Sequence, residues 1–273
     1  MSSTIQHGLR RGSATHVGQL ISRLWLPVLG CVVWWIASEH STSLYFPPLR
    51  TILQTFRQDW LFADLGTYFA PSVRNMVIGF VLASVGGVGI GLAVALNGWL
   101  SQSVGPVIQF LRSIPPPAIL PAALLFLGTG NGLKVGVIVF GSVWPILIST
   151  IDGVRGPDPI LRDLQRVYRL TRWRAVRDVI LPAAAPQIFA GMRVGLQVAI
   201  VMIIVSEMLA ANGGIGYYVL KAQEGFDVPQ TWAGTVLLGL LGIGANACFG
   251  ILERRALGWQ RARADALADS HAG

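Results

Sequence analysis

The chain has 273 residues, 53% apolar and only 12% charged, with a mean hydropathy of +0.58 and a formal charge of +8. A soluble domain carries roughly a quarter charged residues, so this composition excludes a water-solvated globule and sets much of the surface against lipid. Apart from Lys134 and Lys221 the cations are arginines, and they lie between long uncharged runs instead of striping one polar face, which excludes a nucleic-acid binder.

A helix needs about 20 residues to cross ~30 Å of hydrocarbon. Residues 24–38, between Arg23 and Glu39, make a short first span. Trp34 and Trp35 stand where a signal peptide would carry small cleavage-site residues, so an uncleaved span is expected. It contains Cys31; Cys248 lies far away in another apolar run, with no CxxC or His/Cys ligand spacing, and both read as buried structural thiols. The charge-free run 75–111 is too long for one helix, and NGWLSQS (97–103) divides it. A second span is expected near 74–96. The third starts near 104 and continues through Arg112 and SIPPPAILP to about Leu127. Spans at 135–151, 186–210 and 230–252 complete the set. The expected fold class is an all-α integral membrane protein of about six transmembrane helices.

Arginine bias in the loops sets the orientation. With a cytoplasmic N-terminus, that side holds Arg10, Arg11 and Arg23, the 152–182 loop, and Arg254, Arg255, Arg261 and Arg263. The other side holds Arg50, Arg57, Lys134 at a short turn, and Lys221. The chain divides into a cytoplasmic N-terminal segment 1–23, a transmembrane domain 24–252 and a cytoplasmic tail 253–273. Both termini face the cytoplasm. The 152–182 loop, between spans four and five, carries seven arginines between 155 and 177, more than topology requires. Leu161, Leu164, Val167 and Tyr168, and then Trp173, Val176 and Ile180, are spaced for apolar faces of short helices. Such faces outside the membrane predict a docking surface, set against a bare topology signal.

This loop resembles the coupling segment of the membrane-spanning permease subunits of bacterial type I ABC importers. Their pattern is Glu-Ala-Ala, three residues, Gly, nine residues, then Ile-x-Leu-Pro. Counting back from Leu181-Pro182 puts the triplet at Asp163-Leu164-Gln165 and the glycine position at Arg169. The acidic first residue is kept as Asp; the small residues and the glycine are not. LRSIPPPAILPAALLFLGTGNGLKV (111–135), WPILISTIDGVRGPDPIL (144–161), LPAAAPQIFAGMRVGL (181–196) and SEMLAANGGIGYYV (206–219) are similar to the nitrate, sulfonate, taurine and bicarbonate branch. The resemblance covers roughly residues 70–265. It implies a bacterial inner-membrane homodimer, two ATP-binding subunits and an extracytoplasmic substrate-binding protein, with ATP and Mg held by the partner ATPase and no cofactor on this chain. Asp163, Leu164, Gln165, Val167, Tyr168, Arg169, Leu170, Thr171 and Arg172 would be the ATPase-coupling residues. The cargo would be a small anionic or zwitterionic solute.

Other motifs divide between function and packing. No GxxxxGK[ST] exists, and GTGNGLKV (128–135) has the wrong spacing. GGVGIG (86–91) lies mid-span, where Gly87 and Gly91 form a small-xxx-small packing face. Pro115, Pro116 and Pro117 break the third helix, and in lipid the freed carbonyls must find partners or line a cavity. Arg112, Arg193 and Glu207 are ionisable residues at span depth, so with the prolines they are translocation-path candidates; the alternative for the arginines is snorkelling or pairing with carbonyls. Gly213, Gly214 and Gly216 form either an outer mouth or a simple turn. The rival function is a stand-alone ion-coupled transporter or channel, for which Glu207 would be the lone acidic relay.

Overall fold

A computed structural model describes residues 16–39, 41, 43, 45–60, 65–156, 168, 171–210 and 212–259. Among these, every regular element is helical: α1 (His16–Ser38), α2 (Leu49–Gln58), α3 (Ala70–Leu96), α4 (Gly98–Arg112), α5 (Leu120–Leu127), α6 (Asn131–Arg155), α7 (Leu181–Ala210), α8 (Ile215–Glu224) and α9 (Val228–Ala256). Four continuous helical stretches are long and apolar enough to cross a membrane: Leu65–Leu96, Asn131–Arg155, Ala175–Ala210 and Val228–Ala256.

The expected third span is not one rod. It consists of α4 and α5, bent by 88° at the prolines, and counts as a fifth span only if the pair crosses together. Its start is also earlier than expected, because the Asn97 side chain accepts the N–H groups of Trp99 and Leu100 at 3.1 and 3.3 Å and nucleates α4 at Gly98. The first expected span lies within α1, whose shorter apolar stretch is Val28–Ser38. Other helices run past the expected ends, since charged residues at a span's margin do not stop a helix.

The centre of the molecule is α6, packed between α3 and α7. Gly79, Ala83, Gly87 and Gly91 recur every four residues along α3 and present a bare backbone stripe. A Cβ on Gly87 would lie 2.9 Å from Ile146 Cγ2, and one on Gly91 2.7 Å from Thr150 Cβ. On α7, Gly191 and Gly195 do the same against Ser149 and Ile146. Lipid gives no hydrophobic drive for helices to associate, so this close approach and its dispersion contacts hold the three together. Leu133, Val137, Ile138, Ala199, Met202, Ile203 and Ile215 form the main core near one end. We call this the Glu207 end; the other, with Arg155, Arg174 and Arg254, is the Arg-rich end.

Outward faces stay apolar, as Val85, Phe110 and Ile243 at 69–70% exposed illustrate. Cys31 and Cys248, expected to be buried, are both exposed on such faces. An apolar run in a membrane helix marks contact with lipid as readily as contact with protein.

Candidate functional site

At the Arg-rich end, Arg155 closes α6 and donates to the Val94 carbonyl at 3.3 Å and to Ser101 Oγ at 2.6 Å, tying the α3–α4 corner to α6. Above this contact α4 and α6 enclose a cleft of about 210 Å³, with Gln109, Arg112, Asp152 and Arg155 set against Ile108, Ile148 and Ile151. Arg112 Nε donates to Gln109 Oε1 at 2.9 Å, and its side chain is otherwise exposed.

Three carbonyls at the end of α4, just before the proline break, find local donors. Ser113 Oγ donates to the Gln109 carbonyl at 2.7 Å, and the Ser113 and Ile114 amides donate to Phe110 and Leu111. Pro115 and Pro117 are exposed, while Pro116 is half-buried beside Gly141 of α6. The bend therefore packs its inner side on α6 and turns two prolines and Arg112 outward.

Arg193 of α7 points away from this cleft and pairs with Glu253 of α9. In the 152–182 loop, Tyr168 and Thr171 are exposed, and Arg172 begins a helical turn (Arg172–Arg174) that continues through the π-helical turn Ala175–Ile180 into α7. Trp173 is 72% exposed. Asp163, Leu164, Gln165, Val167, Arg169 and Leu170 lie outside the described residues.

At the opposite end, Glu207 is 1% exposed and four elements converge on it. Lys134, in the first turn of α6, donates to Glu207 Oε1 at 3.1 Å and to the Gly213 carbonyl at 2.8 Å. Ser72 Oγ of α3 lies 2.8 and 2.9 Å from the two carboxylate oxygens and accepts the Ile215 N–H at 3.0 Å. The Gly216 amide donates to Oε2 at 3.1 Å. Gly214 sits at φ +113, and a Cβ there would lie 2.1 Å from the carboxyl carbon of Glu207. The glycines of the α7–α8 loop thus form a cradle for one carboxylate. Glu207, Gly213, Gly214 and Gly216 come together; Arg112 and Arg193 stand apart from them and from each other.

Lys134 and Ser72 were missed by the sequence reading, which counted Lys134 as a loop charge. What signal there was lay in the topology: Lys134, just before the apolar run 135–151, and Glu207, near the end of the run 186–210, are opposite charges at ends that the topology brings to the same side. Beyond Gly216, a second cleft of about 490 Å³ opens between α8, α9 and the end of α2, with Asp59, Tyr68, Tyr217, Tyr218 and Lys221 around it. The Tyr217 hydroxyl accepts from Lys221 at 3.1 Å and raises that ammonium above the ordinary lysine range.

Residues 86–258 match the model of the binding-protein-dependent transport system inner membrane component family. The chain is 28% identical over 239 residues to an aliphatic sulfonates transport permease protein of Bacillus subtilis, covering 87% of each chain. It is 28% identical over 271 residues to the bicarbonate transport system permease protein of Synechococcus elongatus, covering 94% of this chain and 95% of that one. Against an ABC transporter permease protein of Brucella abortus it is 33% identical, covering 72% and 78%. Its fold is similar to that of a chain of the MetNI methionine ABC transporter in an inward-facing conformation, with a TM-score of 0.61, 19% identity, and coverage of 72% of this chain and 97% of that one. The chain belongs to the binding-protein-dependent transport system inner membrane component family, the multi-pass permease subunits of ABC importers.

Proposed function

We propose that this chain forms half of the translocation path of an ATP-driven importer for a small anionic or zwitterionic solute, of the sulfonate, taurine, nitrate or bicarbonate kind. A second copy completes the path. Two ATP-binding subunits dock on the Arg-rich end through residues 163–172, and an extracytoplasmic binding protein delivers solute at the Glu207 end. Both termini and the 152–182 loop face the cytoplasm, as the arginine bias asks. ATP and Mg belong to the partner ATPase, in keeping with the missing phosphate-binding loop.

The observation that carries this reading is Arg112 beside the proline break. Its exposed guanidinium, next to Gln109, lies between apolar spans at a bend whose inner side packs on α6, with Pro116 beside Gly141. A charge in that position costs several kcal/mol against lipid and is retained where it meets water or solute. Relatives that carry sulfonate and bicarbonate in their names fit a cationic lining. Glu207, on which an ion-coupled rival depends, is already held by Lys134, Ser72 and Gly216.

The test is solute uptake into proteoliposomes containing the whole importer and its binding protein. Arg112→Gln should lower ATP-dependent uptake about tenfold or more while the ATPase stays assembled, since it removes a charged hydrogen-bond donor. Unchanged uptake would remove Arg112 from the path. Uphill uptake that persists on a proton or sodium gradient, with the partner's ATP site inactivated, would overturn the importer reading.

A further inference from the structure

A second polar cleft lies at the Glu207 end, on the far side of Lys134 from the carboxylate. It holds about 220 Å³ and is lined by Thr67, Thr129, Asn131, Lys134 and Asn212, together with Gly130 and Gly213. We infer that this cleft is a binding site for a small soluble oxyanion, built from Lys134, Asn131 and the flanking hydroxyl and amide side chains.

Donors outnumber acceptors in its wall. Lys134 is 6% exposed and has three N–H groups, two of which go to Glu207 and Gly213. Asn131 accepts from the Asn75 amide at 2.9 Å through its oxygen, so its own NH₂ group remains to donate. Gly130 precedes α6 with no side chain to cap it, and this positive end of a 25-residue helix lies at the cleft wall. Thr67, Thr129 and Asn212 add groups that can donate to an anion.

None of the described residues lining the cleft is acidic. Glu207 neutralises the lysine from behind, so an arriving anion meets oriented donors without a strong fixed charge to trap it. That balance suits a place where solute pauses and moves on. The site deepens the permease reading, on which its role as a waiting point for solute rests.

The experiment uses the intact importer in detergent, with Cys31 and Cys248 replaced by Ser and Ala210→Cys, at a lining position that supplies no polar group, as the reporter. The rate of alkylation by iodoacetamide is followed against methanesulfonate at constant ionic strength set with chloride. Saturable protection is expected. Asn131→Asp keeps the acceptor that Asn75 needs and an acidic residue favoured in a first helical turn, but it should raise the half-protecting concentration at least about tenfold.

Absent protection in a folded reporter, or protection unchanged by Asn131→Asp, overturns the site. Protection by phosphatidylglycerol nanodiscs without any from methanesulfonate assigns the cleft to lipid phosphate and overturns the soluble ligand. Alkylation is read without ATP or transport. Lost protection with uptake intact therefore removes this site alone, and protection without ATP-driven uptake removes only the permease reading.

Discussion

Lys134 and Glu207 are 73 positions apart, yet their charges meet at 3.1 Å in a part of the molecule that water scarcely reaches. Each would be costly alone, and the pair is tolerable because Ser72, Gly213 and Gly216 complete its hydrogen bonds. The two charges also differ in what their loss leaves behind.

Lys134→Met leaves an uncompensated carboxylate, and Glu207→Gln leaves an uncompensated ammonium. Each single variant should lose about 3–5 kcal/mol of stability. The double variant Lys134→Met/Glu207→Gln should recover a large part of that loss, because neither charge remains buried. Unfolding of the purified chain in detergent measures it, and additive losses in the double variant would contradict the coupling.

Gly214→Ala should destabilise the α7–α8 loop by about 2 kcal/mol or more. The backbone is at φ +113, and the new Cβ runs into the Glu207 carboxylate. Gly213→Ala meets nothing within 4 Å and serves as the control. Thermal midpoints that fall equally in both would place the strain elsewhere.

Along α3, Gly87→Leu should cost about 1–3 kcal/mol or abolish insertion, because Ile146 and the Val143 carbonyl already occupy that space. Gly86→Leu and Gly89→Leu face open space and should be near neutral. Membrane yield and the thermal midpoint distinguish the two faces of the helix.

How far the sequence alone led can be judged on these elements. The spacing of Gly87 and Gly91 marked a packing face on α3, because close packing in lipid leaves small residues at a fixed period, but not that α6 fills it. The bend at Pro115–Pro117 was legible as a break, but its 88° angle was not, since the angle depends on what α5 packs against. Glu207 stood out as an intramembrane charge, whereas its partner Lys134 looked like one more loop cation. A pair separated by 73 residues has no local signature, and only the topology brings its members together.

The proposed coupling surface makes a separate prediction. Tyr168→Asp should weaken association of the ATP-binding subunit far more than Arg174→Ala, because the exposed aromatic would become buried on docking while a rim charge contributes little. A pull-down showing the reverse order would sink that assignment. A cysteine at Arg174 should react with an impermeant thiol reagent only from the cytoplasmic face once Cys31 and Cys248 are removed.

The helical run from Ala175 to Ala210 spans 36 residues, or about 54 Å at 1.5 Å per residue, well beyond the ~30 Å of hydrocarbon. Its irregularities, the π-helical turn Ala175–Ile180 and Pro186, both fall in the first third. From there to Glu207 the rod is unbroken, and its far tip is bolted to α3, α6 and α8 through one carboxylate. A displacement applied near Trp173 is therefore absorbed by the near joint or delivered whole at the other end. A tilt of the shaft that the near joint does not absorb would carry Lys134 and its cleft with it, so the near joint decides how far the geometry of one end follows the other.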